Sequence, residues 1–291
     1  MELKILKKER NFKNMAITNF IPTIWSENLY KQLDTKYVAV ANCNREWEGE
    51  IKQKGDRVKI LGVGPISVQD YTKNTNLSNP PALSDTVREL VINQAKAFNF
   101  QIDDIDRAQS SPKIMDEALR LAARALANEA DKHVYSLYGA VSSDNTVSVG
   151  TADENNIMDA ILAGVLKLQN NGVTDGIVLE VSPAVASVIL KAKLNLSTNN
   201  TDVLENGCIG SIAGCKIFVS NNIGYVAGSD VTKYKCFMRT KRAIAFAEQL
   251  SEVEAYRPEL RFADAVKGLM LYGAKLVYAN ELVLLDIGIA A

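Results

Sequence analysis

Three carboxylates fall within four positions, at Asp103, Asp104 and Asp106, in the stretch NFQIDDIDRAQSSP. Acids spaced this closely serve a divalent cation, a catalytic acid pair, or a structural junction. A calcium loop opening at Asp104 needs glycine at its sixth position and glutamate at its twelfth. Gln109 and Met115 stand there instead. A two-metal hydrolase would recruit further Asp, Glu or His, and the chain has one histidine, His133. The structural reading has its own mechanism. Carboxylates just ahead of a helix meet its partial positive charge, each stabilising by about 0.3–1 kcal/mol, and Arg107 offers a counter-charge. The aspartates therefore read as a junction, with a metal-dependent hydrolase as the competing reading.

Other chemistry is thinner still. His133 lies between Lys132 and Val134 near the end of a helical pattern, and no G-x-S-x-G elbow accompanies it. It reads as a helix-surface histidine. GCIGSIAGCK satisfies neither G-x-x-x-x-G-K-[ST] nor G-x-G-x-x-G, so it reads as a tight turn between strands. Cys43, Cys208, Cys215 and Cys236 match no C-x-x-C spacing and are expected to be reduced and packed. No catalytic residue, metal or cofactor is expected.

The elements that must position these residues follow from composition and pattern. The chain has 291 residues, 47% of them hydrophobic and 23% charged, with a formal net charge of −1. It is globular, long enough for two or three sub-structures, and has no overall field that draws in nucleic acid or membrane. No run of eighteen apolar residues marks a transmembrane helix. The basic residues Lys4, Lys7, Lys8, Arg10 and Lys13 read as a solvated tail, and Met15 is a candidate start.

The strongest helical pattern is SPKIMDEALRLAARALANEADKHVYSLYG. Met115, Leu119, Ala122, Leu126, Ala130, Val134 and Leu137 draw one apolar stripe, Ser111 and Pro112 suit the start, and Gly139 suits the end. A helix of about 27 residues is a rod of about 40 Å. Residues 151 to 232 alternate helix and strand: DENNIMDAILAGVLKLQNNGV, GIVLEVS, PAVASVILKAKL, a polar loop, then IGSIAGCKIFVSN as a strand pair. Residues 233 to 291 return to strands.

Residues 47 to 100 pose a physical problem. Two strand-like arms, GDRVKILGVGPISVQDY and DTVRELVINQAKAF, flank the polar tip TKNTNLSNPPALS. A two-stranded ribbon is marginal in water, so this one is expected to lie on a second copy of the chain. Trp25, Leu29 and Leu33 make the same demand.

In this order of parts the chain resembles the major capsid proteins of tailed double-stranded-DNA phages. KGDRVKILGVGPISVQDY resembles the start of that family's extended loop, and LVINQAKAFNFQIDDIDRAQS the return arm entering its peripheral domain. GCIGSIAGCKIFVSNNI resembles the strand pair closing its axial domain, and FADAVKGLMLYGAKLVYANELVLLDI its last strands. The likeness covers about residues 16 to 288.

The resemblance implies an α+β tailed-phage major capsid fold. Its parts are an N-terminal arm over 1–46, an extended β-hairpin loop over 47–100, a peripheral domain with the spine helix over 101–150, an axial domain over 151–232, and closing peripheral strands over 233–291. It implies a non-enzymatic coat protein that assembles through hexamers and pentamers into an icosahedral shell around phage DNA, built in the bacterial host cytoplasm and residing in the virion. Partners would be copies of itself, a separate scaffolding protein, portal and decoration proteins, and packaged double-stranded DNA held weakly, with no membrane. Trp25, Leu29, Lys54, Asp56, Tyr71, Asp103, Asp104, Asp106, Arg107, Glu252, Glu254, Arg257 and Arg261 are the candidate interface residues. An encapsulin-like nanocompartment shell is the nearest alternative.

Overall fold

A computed structural model of the chain describes residues 36–47, 55–63, 85–103, 114–195, 208–260 and 262–290, with the single positions 29, 32, 33 and 73. The basic segment 1–14, Met15, most of the ribbon tip and the polar loop after residue 195 lie outside the described residues. The chain divides into two compact units. The larger takes Tyr37–Ala95, Glu129–Gln249 and Leu271–Ala291; the smaller takes Lys96–Asn128, Leu250–Met270 and the residues up to Lys36.

The larger unit is built on a mixed sheet. Its strands are β4 (Thr146–Val149), β5 (Val178–Val181), β6 (Cys208–Ile212), β7 (Cys215–Val219), β8 (Tyr225–Val226), β9 (Val231–Arg239) and β12 (Leu282–Ala290). They run in the order β4-β12-β9-β5-β7-β6, with β8 beside β9. The longest pairing is β12 against β9, antiparallel from Leu282↔Arg239 to Ala290↔Val231. All four residues of β5 are buried, as a central strand covered on both faces requires. The β6–β7 connection takes two left-handed residues, Ala213 (φ 50) and Gly214 (φ 80), the primed turn that a tight hairpin needs. IGSIAGCKIFVSN is the strand pair its sequence indicates.

Two helices pack on this sheet, α2 (Asn156–Asn170) and α3 (Pro183–Asn195). On α2, Ile157, Ile161, Val165 and Leu168 recur at helical spacing, and Val185 and Ile189 do so on α3. All six share one core with Leu179, Ile217, Met238 and Leu285 of the sheet. Gly164 lies mid-helix, where glycine costs about 1 kcal/mol against alanine. A Cβ there would sit 3.0 Å from the Met238 sulfur and 3.1 Å from a Leu285 methyl, so the bare backbone is what lets α2 approach the sheet.

The ribbon differs from its sequence reading. Its described strands are β1 (Arg57–Val63) and β2 (Asp85–Val91), seven residues each, antiparallel from Arg57↔Val91 to Val63↔Asp85. The root does not wait for a second copy. Val58, Ile60, Leu90 and Ile92, alternating with solvent-facing neighbours, are buried with Ala245, Ala247, Leu271 and Val277 of the same unit. Period-two alternation gave the ribbon one apolar face, and its own chain covers that face. Residues from Gln94 onward leave the ribbon for a different sheet: β3 (Gln94–Asp103), β10 (Ile244–Tyr256) and β11 (Ala263–Leu276) form three strands in the order β10-β11-β3.

In the smaller unit, Phe98 and Phe100 stack on one face of β3 with centroids 6.1 Å apart. Tyr256 of β10 donates to the Asn99 side-chain oxygen at 3.2 Å. Helix α1 (Ile114–Tyr135), 22 residues and about 33 Å long, is shorter than its sequence reading, because a 3-10 turn over Ser136–Ala140 replaces its last expected turn. Leu119, Ala123, Leu126, Ala130 and Val134 are buried along it, which is the stripe with Ala123 in place of the half-buried Ala122.

Candidate assembly interface and its buried anchor

The segment 37–45 turns through a 3-10 helix over Val40–Asn42 and is held by charges that the sequence does not mark. Asp131, near the end of α1, accepts the backbone N–H groups of Val38, Ala39 and Val40, each at 3.1 Å. Arg239, the last residue of β9, and Glu180, inside β5, are both fully buried. The guanidinium reaches Glu180 through Nε at 3.1 Å and Nη2 at 2.9 Å. It also donates to the carbonyls of Ala39, at 2.9 Å, and Asn42. The Asn42 amide returns to Glu180 at 3.1 Å. Beside this cluster Tyr37 donates to Glu248, and Arg45 pairs with the same carboxylate at 2.8 Å.

Each charge here is spent on a partner. Burial pushes the Glu180 carboxyl up, with Arg239 pulling against it. Fully buried ions with their hydrogen bonds satisfied offer a substrate no entry and no free lone pair, so the cluster is a clamp and not a reaction centre. Burial also pushes the thiols of Cys43 and Cys215 up to about 11 and that of Cys236 to about 12. They are neutral, packed and unreactive.

Asp131 has a distinct pH signature. Burial raises its carboxyl from 3.8 to about 6, against the three backbone N–H groups that pull it down. The folded chain thus holds that proton more tightly than the unfolded one. The associated stability is fully present below pH 3.8 and is lost as pH rises through about 6. The lost contribution is on the order of 2–3 kcal/mol. Asp131→Asn should flatten the fall in unfolding free energy between pH 4 and pH 6.5 relative to the wild type. Urea titrations across that range check it, and parallel slopes would show that solvent reaches the carboxylate.

The candidate interface residues fall in three groups. Trp25, Lys54, Tyr71, Asp104, Asp106, Arg107 and Arg261 lie outside the described residues. Asp103 is the final residue of β3 and Glu252 lies within β10. The rest are placed with their side chains. Leu29 and Leu33 are 0% and 1% exposed, which corrects the expectation that they need a second molecule to cover them. Asp56 sits at the ribbon root, where its carbonyl accepts from Ile92 N–H at 3.0 Å and Gly55 N–H donates to the Ile92 carbonyl at 2.7 Å. Glu254 pairs with Lys267 across β10 and β11 at 2.7 Å, an exposed pair worth at most about 1 kcal/mol. Arg257 is exposed in the turn that follows β10.

His133 is half-buried, with its ring edge-on to Tyr272 at 5.6 Å, so it is not the surface histidine of the sequence reading. The sequence carries a faint signal for the clamp. GIVLEVS sets one charge inside an apolar strand and Arg239 follows directly on the apolar run CFM, and a buried charge implies a partner. The turn after β10 also carries the two most exposed large hydrophobic side chains among the described residues: Leu260 is 97% and Phe262 81% exposed.

Comparison with known proteins places this architecture. A solved structure from Mycobacterium phage Che8 is 28% identical, with a TM-score of 0.65 over 86% of this chain and 90% of that one. The capsid of Ralstonia phage GP4 is 12% identical, with a TM-score of 0.66 over 89% and 91%. The holo-SrpI encapsulin complex from Synechococcus elongatus is 12% identical, with a TM-score of 0.58 over 79% and 81%, a likeness of fold alone. None of the curated proteins matches the chain. The family model described as phage capsid protein matches residues 86–280. With that match over two thirds of its length, the chain belongs to the phage capsid protein family: it is a structural, non-enzymatic shell protein with the tailed-phage major capsid fold.

Proposed function

We propose that the chain assembles through hexamers and pentamers into an icosahedral shell around phage double-stranded DNA, in the cytoplasm of a bacterial host. Its membership of a capsid family supports the shell, and self-association with copies of the chain is what such a shell requires. Residues 151–232 would form the axial domain, 101–150 with 233–291 the peripheral domain, 47–100 the extended loop and 1–46 the N-terminal arm. A separate scaffolding protein, a portal and decoration proteins would be its further partners. Asp56, at the ribbon root, and Arg257 would lie where neighbouring copies meet, with Glu252, Asp103 and the remaining candidates along the same seams.

One observation carries the self-assembly reading within this chain. Leu260 and Phe262 are almost wholly exposed in one turn, and large apolar side chains grouped at a surface mark a contact with another molecule. The double variant Leu260→Ser, Phe262→Ser should keep the wild-type circular dichroism and melting temperature. It should lower shell yield at least tenfold in negative-stain microscopy of the purified protein. Normal shells from the variant would remove this turn from the interface, and no shells from the wild type, alone or co-expressed with its neighbouring genes, would sink the reading itself.

A further inference from the structure

A cavity of about 600 Å³ opens in the larger unit beside the start of β5. Lys216, Lys241 and Arg242 line it, with Asp175 and Glu281 as its only acids. Glu281 is already engaged: it accepts the Thr240 hydroxyl and lies 3.9 Å from Arg242. Lys216 and Lys241 have no ion-pair partner among the described residues. Arg45, Arg57, Lys235, Arg239 and Lys267 by comparison are each paired with a carboxylate, so what sets the cavity apart is the gathering of three cations along one wall.

The positive surface continues past the cavity. Arg242 lies over the Tyr278 ring at 5.0 Å, and Arg88 of the ribbon root approaches the same ring at 5.6 Å. A guanidinium stacked on an aromatic ring keeps its N–H donors in plane and free for a second, anionic partner. Lys216 of β7, Lys241 and Arg242 of the turn after β9, and Arg88 of the ribbon root thus make four cations, with Asp175 and Glu281 among those of the cavity, in a chain of net charge −1. Cations set on a strand, on a turn and on the ribbon root suit a polymer with a charge at each repeat better than one small anion.

We infer that this groove binds the phosphate groups of a duplex DNA backbone, giving the shell a defined place of contact with its contents. The inference rests on the shell reading and names the residues that would make the contact. Recognition is of phosphate alone, without base readout, so affinity falls steeply with salt.

The test uses the full chain before shell closure, with a fluorescent 20-base-pair duplex as probe and anisotropy read at rising salt. Each lost phosphate contact removes about 0.9 from the slope of log affinity against log salt. Lys216→Gln with Lys241→Gln should flatten that slope by about 2, and adding Arg242→Gln by about 1 more. The control pair Arg124→Gln, Lys191→Gln, which alters two exposed cations on α1 and α3, should leave it unchanged. An unaltered slope in the groove variant, or an equal loss in the control, overturns the assignment. Thermal stabilisation by inorganic phosphate that disappears in the groove variant while its DNA slope persists would make this a free-anion site and also overturn it. Shell yield is read separately by microscopy. Absence of wild-type shells sinks the shell reading, while the slope still decides the groove.

Discussion

Arg239→Met should destabilise the chain by about 3–5 kcal/mol, the usual cost of removing one partner from a buried ion pair. The arginine is fully buried and satisfies both oxygens of Glu180 and the carbonyls of Ala39 and Asn42. Methionine fills much of the volume but donates nothing, which leaves the buried Glu180 charge with the Asn42 amide alone and takes the guanidinium donor from the Asn42 carbonyl. Adding Glu180→Leu removes the stranded charge and should recover part of the loss, since a buried pair replaced by apolar residues is often neutral. Urea unfolding of the two single variants and the double variant closes a thermodynamic cycle and isolates the coupling. A cost under about 1 kcal/mol for Arg239→Met would mean that water reaches Glu180 and that segment 37–45 is held by something other than this clamp.

Leu126→Asp should be as severe by a different route. Leu126 is 4% exposed on the buried stripe of α1, so the variant loses apolar burial and gains a carboxylate with no partner, a penalty of several kcal/mol. The expected result is insoluble chain on expression, whereas Leu121→Asp, five positions earlier at a residue 53% exposed, should remain soluble. Soluble, cooperatively folding Leu126→Asp protein, judged by circular dichroism and a thermal melt, would show that this face of the helix is open to solvent. The pairing of the two variants separates burial from helix propensity, because the same residue is introduced into the same helix.

Much of the architecture was legible because local periodicity encodes it. The helical stripe of α1, the spacing of Ile157, Ile161, Val165 and Leu168 on α2, Pro183 opening α3, and the Ala213–Gly214 turn each follow from a few neighbouring residues. The order of parts sufficed to show the resemblance to phage capsid proteins. The four-residue strand β4 was not legible. It is defined by parallel pairing with β12, Leu284↔Thr146 to Ile287↔Val149, more than a hundred positions away, and so short a strand carries too few residues for a period to register.

The ribbon shows where pattern reaches its limit. Alternation at Val58 and Ile60, and again at Leu90 and Ile92, declares an apolar face but not what will cover it. The sequence reading assigned that face to a second copy, and the fold covers it with Ala245, Ala247, Leu271 and Val277 of the same chain. Nothing in the sequence around Asp131, beside Lys132 in a helical pattern, marks it out, and only the fold brings it under three backbone N–H groups some ninety positions earlier. Taken alone, then, the sequence determined which stretches become helix or strand, where they turn, and which family they compose, since those properties depend on neighbours along the chain. Tertiary structure decided which charges are buried and which apolar faces remain open, because desolvation and pairing depend on residues that only the folded chain brings within a few ångströms.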